Sequence, residues 1–294
     1  MIKGFTDTLL EIFKPSNIGS FVFFTLNLSL ILFMFSPYSF TLEGAAILIA
    51  SYIASVAISL SPAGEGVLSI FAGAKEIKRK DMKIKLIPLL EIVYGNAKRE
   101  SPDMVCSIHL KIISGNEQNA YALGRRTICV TEGLLDLPDN LILGILAHEI
   151  GHIANKHSEI QLFIGGANVL ISGFLLFLKL IAWCIVGIFG LFALAFRRSG
   201  LGCILGALSA FPAMLIFLWT KLCMLFLQWP ARSNEFVADE YAFQIGFGKE
   251  LAQVLDNCNY ETANHFMRVL YSSHPSANER IARLQDLGVN YSRW

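Results

Sequence analysis

Apolar and polar positions divide this chain into two textures. From Pro15 to Ala63 nearly every position is apolar, small or hydroxyl-bearing, and Glu43 is the only charge. Two apolar runs lie there, about 18–35 and 42–60, closed by Ser36-Pro37 and Ser61-Pro62. A helix needs about 20 mainly apolar residues to cross a bilayer. Ser36 to Thr41 is a short connection, so the runs predict a helical hairpin. The second charge-poor block, Ile160 to Ala231, carries only Lys179, Arg197, Arg198 and Lys221. It reads as spans over about 165–195 and 201–228, or as three crossings if the first run divides at Lys179.

The remaining segments have the periodicities of a soluble domain. Leu141, Ile142, Ile145, Leu146, Ile150 and Ile153 recur at helical spacing, Pro138 suits a first turn and Asp139 its positive end. One helix is predicted over 137–159. Met104 to Ile113 alternates Ile108, Leu110 and Ile112 against Ser107, His109 and Lys111, the pattern of a half-buried strand. Ala120–Leu123 and Thr127–Thr131 flank a Gly-Arg-Arg turn and predict a hairpin. Ser276-Ala-Asn-Glu279 fits a helix-capping box, which puts His274-Pro275 in the loop before a helix.

Composition sharpens this picture. The 294 residues are 54% hydrophobic and 16% charged, against about 25% charged in soluble chains. That excludes intrinsic disorder, a purely cytosolic protein and a bare membrane bundle. A net charge of +1 argues against a nucleic-acid partner. The six cysteines contain no Cys-x-x-Cys and read as reduced thiols. Lys3 and Lys14 precede the first run, and Lys75, Lys78, Arg79, Lys80, Lys83 and Lys85 follow the second. Arg197 and Arg198 alone occupy the opposite side, so the basic bias puts the soluble parts and the amino terminus in the cytoplasm.

The candidate chemistry lies on the predicted helix, in His148-Glu149-Ile150-Gly151-His152. Histidines four apart share a helix face, so two imidazoles can reach one zinc ion. The glutamate beside the first can take a proton from water. A catalytic zinc needs a third protein ligand. Asn155 and Ser158 occupy the positions where a metzincin has glycine and histidine. His157 lies roughly 140° from His152 on a continuous helix and so points elsewhere; it reads, like His109 and His265, as an ordinary surface or strand residue. Glu235 is the better candidate, with Asp239 one turn later placed to orient a ligand imidazole. An ordinary acidic surface helix is the alternative. If His148 and Glu235 share an ion, an even number of crossings separates them, which favours two there and four overall.

Further motifs fall in order along the chain: Asn119-Ala120-Tyr121-Ala122-Leu123-Gly124, Thr131 to Leu135, Ala147 to Asn155, Arg232-x-x-Glu235-x-x-Ala238-Asp239, His274-Pro275, and Glu279-Arg280-Ile281 through Leu284. With these the chain resembles the HtpX family of membrane-bound zinc metalloproteases, relatives of the CAAX prenyl endopeptidases. The resemblance implies a mainly α membrane protein with four transmembrane helices and a cytosolic α+β zincin domain of gluzincin type with a small β-sheet. The expected organisation is an amino-terminal hairpin over 1–63, a first protease part over 64–161, a second hairpin over 162–228 and a second protease part over 229–294. It implies one Zn2+ per chain held by His148, His152 and Glu235, with Glu149 as base and Asp239 behind a ligand. His274 and Arg232 are candidates for transition-state or auxiliary roles, although His274 reads equally as a loop residue. Asn119, Ala120, Tyr121 and Ala122 would form the edge on which substrate adds as a strand, the alternative being a structural hairpin. Expected substrates are unfolded or membrane-protein polypeptides at a bacterial inner membrane, in proteolytic quality control. Two residues depart from the family pattern: Asn234 stands where arginine is common, and Leu123 where small or hydroxyl residues are. An intramembrane zinc protease and a catalytically dead scaffold or metal-binding regulator are the competing readings.

Overall fold

The computed structural model describes residues 18–104, 106–195, 201–228, 231–257 and 275–292. Within them the chain divides into two compact units, one comprising Gly19–Val56 with Ile164–Leu227, the other Ala57–Phe163 with the chain from Gln228 onward.

The first unit is built from apolar helices. Helix α1 (Ile18–Met34) is followed by the short α2 (Ser36–Ser39) and by α3 (Leu42–Ser59). Helix α7 (His157–Ala195) and helix α8 (Leu201–Gln228) bring the later charge-poor block into it. Its outward positions are large and apolar: Phe33 is 75% exposed and Leu42 88%, and Phe177 and Trp183 are also exposed. A soluble surface rarely carries such continuous apolar area. Helix packing here is assisted by polar contacts, Ser55 Oγ donating to the Gly166 carbonyl at 3.0 Å and Trp219 Nε1 donating to Asn168 Oδ1 at 2.5 Å. Among the described residues two helical stretches are long and apolar enough to cross a membrane, Leu42–Ser59 and His157–Phe189. Ile18–Met34 has the same character over 17 residues. Helix α7 continues through Lys179 without interruption, so the division considered there does not occur.

The second unit carries the larger hydrophobic core. Helix α4 (Pro62–Phe71) starts where Ser61 caps it, its hydroxyl accepting from Gly64 N. Strand β1 (Lys75–Glu76) and helix α5 (Lys80–Glu100) follow, then β2 (His109–Ile113), β3 (Ala120–Leu123) and β4 (Thr127–Thr131). The strand order is β1-β2-β4-β3, with β2 parallel to β4 and the other pairs antiparallel. Strand β2 is shorter than expected, beginning at His109 rather than Met104. The β3–β4 hairpin forms as expected and leaves β3 on the sheet edge. Gly124 turns it at φ +74, and a Cβ there would lie 2.6 Å from the Glu65 side chain. That carboxylate accepts the backbone N–H groups of Arg125 and Arg126, which fastens the turn to α4.

Helix α6 (Asp139–Ala154) is the centre of this unit, packed against α5, the sheet, α9 (Ala231–Gln244) and α10 (Gly248–Asn257), with α11 (Ala277–Asp286) beside α10. Its apolar stripe, Ile142, Leu146 and Ile150, is fully buried against Leu86, Val93, Ile128 and Leu251. Each such side chain contributes about 1.5–3 kcal/mol by leaving water. Small residues set the approach of neighbours. A Cβ on Gly144 would lie 2.6 Å from the Glu250 backbone, and one on Gly151 would lie 2.8 Å from the Ala238 carbonyl oxygen.

The helix predicted over 137–159 is two helices. Helix α6 ends at Ala154, and α7 begins at His157. Lys156 lies between them at φ +59, the one non-glycine residue with positive φ among the described residues. The left-handed conformation costs an L-residue about 1–2 kcal/mol, and nothing in Asn155-Lys156 signals it from sequence.

Candidate metal centre

Three elements of the second unit converge on one buried cluster. Helix α6 presents His148, Glu149 and His152; α9 presents Glu235 and Asp239; α11 presents Arg280. The crossing of α6 and α9 is close because Gly151 meets Ala238 where both chains are smallest. Positions four apart on each helix then face one another. His148 Nε2 lies 3.3 Å from Glu235 Oε2, His152 Nε2 lies 3.3 Å from Glu235 Oε1, and the two Nε2 atoms are 3.2 Å apart.

This triangle has the dimensions of a tetrahedral metal site. Ligand atoms about 2.0–2.1 Å from an ion, at the tetrahedral angle, stand about 3.3–3.4 Å apart. The charges agree with the geometry. Glu149, Glu235 and Asp239 are three buried carboxylates facing one buried guanidinium, Arg280, so a divalent cation would balance the cluster. His148, His152 and Glu235 are therefore the residues that could hold an ion.

Each imidazole has a partner behind it. His148 Nδ1 lies 2.9 Å from Asp239 Oδ1. Asp239 is in turn gripped by Arg280, whose Nη2 and Nε donate to its two oxygens at 2.6 and 2.8 Å. Burial alone would raise the Asp239 pKa, but the Arg280 charge and hydrogen bonds and the contact with His148 hold it below its usual value. Arg280 Nη1 also approaches Glu235 Oε2 at 3.4 Å. His152 Nδ1 meets His157 Nδ1 at 3.0 Å. Burial, reinforced by the neighbouring His152, pushes the His157 pKa down to about 3.

Glu149 lies within the same cluster. Burial pushes its pKa up, while His148 and His152 oppose that shift. The backbone N–H of Ala122, on the edge strand β3, donates to Glu149 Oε2 at 2.6 Å. The edge strand and the candidate base are thus in direct contact.

The structure brings together His148, Glu149, His152, Glu235 and Asp239 as the spacing suggested, and it puts Ala122 against Glu149. Asn119 precedes β3, its N–H donating to Thr131 Oγ1 at 2.9 Å, and Tyr121 lies within β3. Arg232 is exposed on the first turn of α9, and the arginine that reaches the cluster is Arg280. Two residues of the cluster are not where, or what, their sequence context suggests. His157, expected on an outer face, is buried beside His152, because the break at Lys156 turns the chain back. The Glu279-Arg280-Ile281 motif carries no signal of a role for Arg280, which stands four residues after the Ser276 cap and reaches the cluster from α11. His109 is exposed at the start of β2. His265 and His274 lie outside the described residues.

A family model described as peptidase family M48 matches residues 91–287. A protein from Salinibacter ruber named Protease HtpX homolog is 27% identical over 246 residues, 73% of this chain and 78% of its own. Another of that name from Desulfatibacillum aliphaticivorans is 32% identical over 242 residues, 72% of this chain and 71% of its own. Among solved structures, S. mikatae Ste24p aligns over 97% of this chain and 66% of its own, at 18% identity and a TM-score of 0.43.

Proposed function

The chain belongs to peptidase family M48, and on that premise we propose that it is a membrane-embedded zinc endopeptidase acting at the cytosolic face of a bacterial inner membrane. The observation that carries this reading is the triangle of His148 Nε2, His152 Nε2 and Glu235, with separations of 3.2–3.3 Å. A tetrahedral set of two imidazoles and one carboxylate suits zinc with its fourth position open to water. Zinc, when bound, would supply the Lewis acidity that polarises a scissile carbonyl and eases loss of a proton from water.

The remaining roles fall to the chain itself. Glu149, buried at 7% exposure, accepts the proton of the attacking water and delivers it to the leaving amine. Asp239 accepts the Nδ1–H of His148, which fixes the tautomer and leaves Nε2 for the metal. An extended peptide pairs with the open edge of β3 at Asn119–Ala122, beside the base, and is held through its backbone rather than by sequence.

Four spans fit this reading, about 18–35, 42–60, 165–195 and 201–228, with the protease parts at 64–161 and 229–294. His148 and Glu235 share one ion only if both lie on the same side, so an even number of crossings separates them. The basic residues after the second run favour the cytosol. Substrates are then unfolded or membrane-protein polypeptides, in a quality-control role.

Purified in detergent without chelator, the protein is expected to cleave casein or itself on zinc addition, and a chelator should stop it. Absence of cleavage in zinc-loaded, folded protein would contradict the reading. Single cysteines near Asp103 and near Asp286 should react from the same side in oriented vesicles; opposite sides would overturn the four-span arrangement.

A further inference from the structure

Asn155-Lys156 offers no glycine or proline, yet the chain stops one helix there and starts another. Lys156 at φ +59 makes the change of direction. On an unbroken helix His157 would stand roughly 140° away from His152. The break returns it, so that the two Nδ1 atoms are 3.0 Å apart with His157 buried. A non-glycine residue held in the left-handed region marks a place where surrounding contacts dictate the backbone.

Only one proton fits between two ring nitrogens in contact. His152 turns Nε2 toward Glu235 and His148, so its Nδ1 is the nitrogen that carries hydrogen. His157 Nδ1 must then be the acceptor. We propose that His157 is a positioning residue for the metal centre: its imidazole accepts the His152 Nδ1–H, selects the tautomer of His152 and fixes the direction of its Nε2 lone pair. The inference rests on the metal-centre reading above and deepens it.

The position of His157 gives this contact a further consequence. It begins α7, the helix whose His157–Phe189 stretch is long and apolar enough to cross a membrane. Two residues on, Glu159 accepts from Arg125 Nε at 3.1 Å, and Arg125 lies in the turn between β3 and β4. One helical turn thus touches both the second metal histidine and the turn of the edge-strand hairpin. A shift of that turn would disturb ligand and edge strand together.

The test reads zinc affinity by competition with a chromophoric chelator, on the full chain in detergent, rather than peptidase activity. Three substitutions change the acceptor at nearly constant size: His157→Leu removes it, His157→Asn supplies an amide oxygen, and His157→Asp supplies a charged one. Zinc affinity should fall about 10–100-fold in the Leu variant, recover most of that loss in the Asn variant and be highest of the three in the Asp variant. Cobalt(II) absorption should shift in the Leu variant and return toward wild type in the Asn variant. Wild-type affinity in the Leu variant, or Asn and Asp variants no tighter than Leu, would overturn the proposal, since a packing role would not follow acceptor strength. Any two variants that fold preserve the ordering. His148→Ala should abolish tight zinc binding; if it does not, the metal-centre reading itself fails, which is separable from failure of the His157 series.

Discussion

The two imidazoles of the metal centre stand one turn apart on the same helix and are supported in opposite ways. Behind His148 is a carboxylate, Asp239, doubly hydrogen-bonded to the buried guanidinium of Arg280. Behind His152 is another imidazole, His157, whose burial holds it uncharged. The first support brings a buried ion pair that is costly to disturb. The second adds no charge and depends on a strained bend at Lys156. A buried site that already contains Glu149 and Glu235 has reason to support one ligand without a further carboxylate.

The comparison can be broken most strongly on the charged side. Asp239→Asn leaves Arg280 buried without its carboxylate, so stability should fall by about 3–5 kcal/mol and zinc affinity by about 10–100-fold. Chemical denaturation and chelator competition measure the two effects. His157→Asn, by contrast, changes no charge and should leave the denaturation midpoint close to wild type. The pH dependence has a definite sign. The folded-state pKa of Asp239 lies below its usual 3.8, so its ion pair stabilises fully above that value. The contribution is lost as pH falls through the lower folded value. The stability gap between wild type and Asp239→Asn should stay constant from neutral pH to about pH 5 and close only in stronger acid.

A smaller effect should strike both supports alike. Gly151→Ala puts a Cβ 2.8 Å from the Ala238 carbonyl oxygen, so α6 and α9 must separate by a few tenths of an ångström. Overpacking of this kind costs about 1–3 kcal/mol, and it moves Glu235 relative to both histidines. Zinc affinity should fall without selective loss at either imidazole. An unchanged affinity would show that the close crossing is not what sets the ligand triangle.

The same contrast shows what the sequence discloses. Asp239 was legible because helical periodicity is unbroken from Glu235, and four residues is one turn. Gly124 and the hairpin it turns were legible because that turn needs positive φ. His157 was not, because its position depends on Lys156 adopting a conformation that tertiary contacts impose and residue type does not encode. Arg280 was visible within a motif, but its reach across to α9 is a tertiary fact: its partner lies 41 residues earlier in the chain. The charge-poor segments are plain in the sequence, while hydropathy alone leaves the passage through Lys179 open; the helix continues there.

The most direct measurement compares bound zinc and casein cleavage in wild type, Glu149→Gln and Glu235→Gln, purified side by side. Removing the base should lower cleavage by about 10²–10⁴-fold while one zinc per chain remains bound. Removing the carboxylate ligand should lose both the zinc and the cleavage. Undiminished cleavage in Glu149→Gln, or full zinc occupancy in Glu235→Gln, would contradict the assignment of base and ligand on which the proposed chemistry rests.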